Sequence, residues 1–301
     1  MDSDLDTLLI ALYVALTDHV LPSPGFASNE VDQDAVTDAE LLCLAVAQVQ
    51  LRFGRERHWL RVVPKLVGHL FPRLPSQLRY NRLLRKLGNV LASALRWLAD
   101  QCPGSADVVR LLGGTKIICG MSRETVKHSN LYGYCGYGYD ASHTLYFWGA
   151  KLLLDVTADG LVTGFALANP KLHGERETVL MMQRRPAHAM APGTTAVADK
   201  GFRSAPFEAE LLDQGIVLVR PAMQGEHDPG VLPKRLRQRV ESAISTLKGQ
   251  LGIEHPGAHE PDGLFARVAQ RLLALNTVIW HNWNIAAPRG RSLIAYDHVR
   301  A

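Results

Sequence analysis

Asp199 and Glu241 are the two residues of this 301-residue chain whose settings suggest metal chemistry. Asp199 stands in AVADKGF, where an apolar run from Thr195 to Ala198 ends in Asp-Lys-Gly-Phe. A strand that ends in a charged residue followed by Gly suits a site at the carboxyl edge of a sheet. Asp is also a good helix N-cap, and the local sequence taken alone favours that plainer role. Glu241 opens the helical run ESAISTLKGQL. Arg237 lies one turn before it and Lys248 two turns after, so the three share a helix face. Carboxylates so placed can hold magnesium against a phosphodiester, where two ions about 3.5–4 Å apart activate the attacking oxygen and neutralise the leaving one. The plainer reading of that face is a solvated stripe of charge pairs.

Basic residues gather in two further places. SQLRYNRLLRKL carries Arg79, Arg82, Arg85 and Lys86 at helical spacing, with Tyr80 and Asn81 between them. A basic helix of this kind fits phosphate contact, and its Leu side can still pack into a core. In SRETVKHS, Arg123, Lys127 and His128 follow the first strand candidate and are placed to touch a bound strand, or to serve as ordinary loop polarity. Tyr132, Tyr134, Tyr137 and Tyr139 alternate as in a half-buried strand, although such rings also stack on exposed bases. Trp280 and Trp283 read as core. His173, Glu175 and Glu177 in HGERET fit no strong ligand spacing and read as a loop entering a helix.

The elements that would position these residues follow from periodicity. Residues 5–20 have helical apolar spacing, ended by Pro22 and Pro24, and 28–36 are polar and loop-like. Thr37 or Asp38 caps a second helix, Arg57–Phe71 forms a third around Pro64, and Ser76 caps a run reaching Asp100. The pattern changes near Cys102-Pro103-Gly104. TKIICG is then a strand, HTLYFWGAKLLLDV and LVTGFALAN form a hairpin about Thr157–Gly160, and helix, strand, helix, strand and long helices follow. This predicts an α/β fold with a helical region over 1–102 and a mixed domain over 103–301.

AVADKGF, ESAISTLKGQLGIEH, LFARVAQRLLALNTVIWHNW and RSLIAYDH, with SRETVKHS and YGYDASHTLYFWGAKLLL, resemble the catalytic half of a DDE-type insertion-sequence transposase. The likeness runs from about Leu5 to His298, and the order of the motifs is more specific than any one of them. The resemblance implies a ribonuclease-H-like core behind a helical DNA-binding region. It implies magnesium, with manganese as a substitute, held by Asp199 and Glu241, with Lys248 in the catalytic set and Arg237 on phosphate. It further implies binding to terminal inverted repeats and target DNA, cleavage and strand transfer, homo-oligomers on DNA ends, and a cytoplasmic, nucleoid-associated place. The family pattern has Asp on the first strand, as a ligand bridging both ions, and here Leu112-Gly113-Gly114-Thr115 puts Gly113 there. Without that ligand Asp199 and Glu241 offer at best a weak site. Asp155 and Asp107 are substitutes in principle, though a turn residue and a helix-end residue are the plainer readings. The alternatives are a catalytically impaired DNA-binding transposase remnant and a metal-dependent nuclease of the same fold.

Composition sets the outer bounds. Hydrophobic residues make up 47% and charged residues 21%, an ordinary globular balance with a sizeable core. A net charge of +4 argues only weakly for nucleic acid, so the local clusters carry that argument. Cys43, Cys102, Cys119 and Cys135 form no CxxC pair and read as free thiols in a reducing compartment. The acidic Met-Asp-Ser-Asp start lacks the basic residues of a secretory leader, and LLIALYVAL is too short to span a bilayer.

Overall fold

The computed structural model describes residues 5–21, 36–140, 144–186, 188–222, 234–287 and 293–298. Pro22, Pro24, the polar stretch up to residue 35 and the basic turn at 288–292 lie outside them. The chain divides into two units, one of Met1–Leu98 with Gly249–Ala301 and one of Ala99–Lys248.

The first unit is helical. Its elements are α1 (Leu5–Ala15), α2 (Asp38–Gln50), α3 (Glu56–Leu66), α4 (Gln77–Lys86), most of α5 (Gly88–Asp100) and α10 (Pro261–Asn284). Thr37 caps α2 in a full capping box with Glu40, and Ser76 caps α4 through the Arg79 backbone N–H. The run expected from Ser76 to Asp100 breaks at Leu87, where Gly88 passes close to Phe265 of α10; a Cβ there would stand 3.2 Å from that ring. α2 and α10 are apolar nearly all round, so they bury each other in the centre of the unit. Several amide side chains inside donate to backbone carbonyls across helices. Gln50 donates to the Ala274 carbonyl, Gln270 to Ala45, and Asn276 to Leu95. The sequence pattern placed 249–301 with the sheet domain. The structure packs it with the N-terminal helices, because the apolar faces of α2 and α4 meet α10. Among the described residues no helix is long and apolar enough to cross a membrane.

The second unit is a mixed α/β sheet. Its strands are β1 (Val109–Gly120), β2 (Gly136–Asp140), β3 (Leu145–Thr157), β4 (Val162–Ala168), β5 (Thr195–Val197) and β6 (Val217–Val219). The order is β2-β3-β1-β5-β6, with β4 sharing the outer edge of β3. β1, β3 and β4 run antiparallel, whereas β5 and β6 run parallel to β1 on its other side. The β3–β4 hairpin closes at Thr157–Gly160, where Gly160 has φ +91° as an Asp-Gly turn requires. The helices are α6 (Arg123–Lys127), α7 (Glu175–Gln183), α8 (Ala205–Asp213) and α9 (Lys234–Gly249). One sheet face, with Leu112, Leu153, Ala196 and Ala198, packs on Val179 and Met182 of α7 and on Phe207 and Leu211 of α8. Each large side chain buried there contributes about 1.5–3 kcal/mol.

Candidate functional site

Alternation along the strands decides which residues meet. Leu111 of β1 is in register with Val197 of β5. Two residues on along β1, Gly113 points to the face opposite the core of α7 and α8, while Asp199 follows the end of β5. On that face a Cβ at Gly113 would stand 2.6 Å from Val240 Cγ2 and 2.9 Å from Ile244 Cδ1, so α9 lies directly over β1. Glu241 follows Val240 in the same turn and is exposed. The contact that the structure gives here is between Gly113 and the turn of α9 that precedes and follows Glu241. Lys248 is half-buried further along α9. Arg237 lies in α9, but its side chain is outside the described residues.

Asp199 also does the plainer work weighed for it. It caps the single turn Lys200–Phe202, and its Oδ1 accepts from the Gly201 backbone N–H at 2.7 Å. Beside it is a residue that the motif reading set aside. Glu175, at the start of α7, forms an ion pair of 3.0 Å with Lys151 of β3. A Cβ built at Gly201 would be 3.0 Å from Asp199 Oδ1 and 3.2 Å from Glu175 Oε2, so the two carboxylates flank one point. The HGERET spacing could not show this, because Asp199 reaches Glu175 only through the tertiary fold.

The two suggested substitutes fall elsewhere. Asp155 is not a turn residue but lies buried in β3 opposite Leu112, on the face turned away from Gly113. Thr163 Oγ1 donates to its Oδ2 at 2.8 Å, and Arg110 Nε lies 3.8 Å away. Asp107 precedes β1 and accepts from the Val109 backbone N–H at 3.0 Å.

The donor set does not fit a two-magnesium centre. Where the resemblance expects a bridging carboxylate stands Gly113, and Val240 and Ile244 fill the room that a side chain there would need. Among the described residues no three His, Cys, Asp or Glu side chains come together to hold a metal ion.

The basic residues divide in a way the sequence did not show. On α4, Arg82 and Lys86 are exposed and Arg79 half-buried, while Tyr80 and Leu84 point into the core. Arg85 is turned aside by an ion pair with Glu260. Lys86 faces Asp38, and the burial that raises the Asp38 carboxyl is partly offset by that cation. In α6, Lys127 pairs with Glu124 at 2.8 Å, and Arg123 is exposed. Tyr137 and Tyr139 lie in β2, which alternates in burial as expected of a half-buried strand, and both stand on its exposed side; Tyr132, also exposed, precedes the strand. Tyr139 packs on the exposed Tyr146 of β3, with ring centroids 4.7 Å apart. Trp280 is buried, as its helical spacing predicts.

No protein-family model matches the chain, and no curated protein matches it.

Proposed function

We propose that this chain is a transposase-type protein with a ribonuclease-H-like core that binds the ends of an insertion sequence without cutting them. The core reading is supported by three antiparallel strands continued by two parallel strands on the far side of β1. The observation that carries the non-cutting form is Gly113. It lies beneath the turn of α9 that holds Glu241, and Val240 and Ile244 occupy its side-chain space. Cleavage and strand transfer would need a bridging carboxylate where this packing stands. Binding to DNA does not: it draws on the exposed cations of α4 and on Arg123.

A second reading is favoured by Glu175. Its carboxylate flanks Asp199, and in a cutting form of the site it replaces the missing ligand. The two readings separate in one experiment. Purified chain is mixed with a duplex that carries the inverted repeats flanking its gene, with magnesium or manganese present. The non-cutting form retards the duplex and leaves it whole. Cleavage abolished by Glu175→Gln would establish the second reading, and no retardation at all would reject both.

A further inference from the structure

Two of the four cysteines meet across a strand. Cys119 is the extra residue of a bulge in β1, because Ile118 pairs with Gly149 while Gly120 pairs with Trp148. Cys135 directly precedes β2, whose first residue, Gly136, pairs with the same Gly149 from the other edge of β3. Gly149 therefore lies between them. The bulged backbone fills the space of a side chain there: a Cβ at 149 would stand 1.8 Å from the Ile117 carbonyl oxygen and 3.1 Å from the Cys119 nitrogen. This lean of β1 over β3 carries Cys119 across Gly149 toward Cys135 on the flanking strand, with the Cys119 thiol donating to the Ile117 carbonyl at 3.7 Å. Cys119 is half-buried and open to small reagents, while Cys135 is buried.

We propose that Cys119 and Cys135 form a reversible dithiol–disulfide site, oxidised by a hydroperoxide. The Cys119 thiolate attacks the peroxide, an S–O bond forms, the O–O bond breaks, and an alcohol or water leaves. The Cys135 thiol then attacks the resulting sulfenic sulfur, its proton leaves with the hydroxyl as water, and the S–S bond closes. The two thiols supply two electrons and the hydroperoxide accepts them. The neighbouring Cys135 thiol holds the Cys119 thiol below its ordinary range, burial opposes this, and the backbone at Ala150 adds to the lowering. The neighbouring Cys119 and burial push Cys135 up. This division suits an attacking and a resolving cysteine. Closure would tie down the segment between them, which carries α6 with Arg123 and Lys127, and the exposed Tyr132.

The test uses the full chain. Reduced protein is treated with hydrogen peroxide, alkylated in denaturant and mapped by mass spectrometry. The expected map has one intramolecular link between residues 119 and 135, with Cys43 and Cys102 alkylated and the link reversed by dithiothreitol. Cys119→Ser and Cys135→Ser should each remove the link, and the wild-type map decides even where a variant fails to fold. The proposal is overturned if both thiols stay alkylatable. It is equally overturned by Cys119 oxidised to sulfinic acid beside a free Cys135, or by a link between two chains.

Discussion

Gly113 lies directly under Val240 and Ile244 of α9. Its neighbours Val240 and Ile244 are close enough that any side chain at 113 must displace them. Gly113→Ala should therefore destabilise the protein by about 1–3 kcal/mol, the usual cost of overpacking. The double variant with Val240→Ala should cost less than the sum of the single variants, and urea unfolding of all four proteins would read that coupling. Strictly additive costs would mean that α9 does not rest on Gly113. The sequence named this position but not its packing, because Val240 is brought to it only by the path of α9 over the sheet. Glu175 was illegible for the same reason. By contrast, the Thr37 and Ser76 caps and the Gly160 turn were legible, because each is a local bond between residues a few positions apart.

At the scale of elements, α4 joins stability to the proposed DNA contact. Its inner side is held by a charged cluster. Arg267 of α10 pairs with the buried Glu56 and donates to Asn81 Oδ1 at 3.0 Å. The buried Arg271 nearby is pushed down to about 10, first by burial and then by Arg267, with Glu56 acting against the shift. Glu56→Gln should leave two arginines without their counter-charge and cost about 3–5 kcal/mol by chemical denaturation. A loss below 1 kcal/mol would show that solvent already screens the cluster. The outer side of α4 should govern the salt dependence of DNA binding. Arg82→Ala and Lys86→Ala should each flatten the plot of log affinity against log salt by about one unit, whereas Arg85→Ala, already engaged by Glu260, should change it less. Equal slopes for all three would mean that Glu260 yields Arg85 to phosphate. The basic spacing was readable along the helix, but the diversion of Arg85 was not, since Glu260 lies at the start of α10, far along the chain.

Over the whole molecule, strand and helix types were legible from periodicity, and the grouping of elements was not. Segment 249–301 looks, in sequence, like the tail of the sheet domain, yet its apolar faces close the helical unit instead. Tyr137 and Tyr139 repeat the lesson: alternation marks a strand, but only the fold tells which of its faces is open. If the carboxylates serve the site and not the DNA contact, Asp199→Ala and Glu241→Ala should leave end binding unchanged in band-shift titrations. A large loss of affinity in either would mean that these residues shape the binding surface itself.

The central claim is that the packing at Gly113 stands where a metal-bridging side chain would be. The direct measurement is cleavage of a labelled end-bearing duplex, with magnesium or manganese, by the parent chain and by Gly113→Asp combined with Val240→Ala, which makes room for the new carboxylate. The account predicts that both bind the duplex, that the parent leaves it intact, and that the double variant gains metal-dependent nicking at the ends. Efficient metal-dependent cutting by the parent chain, unchanged in the double variant, would contradict it.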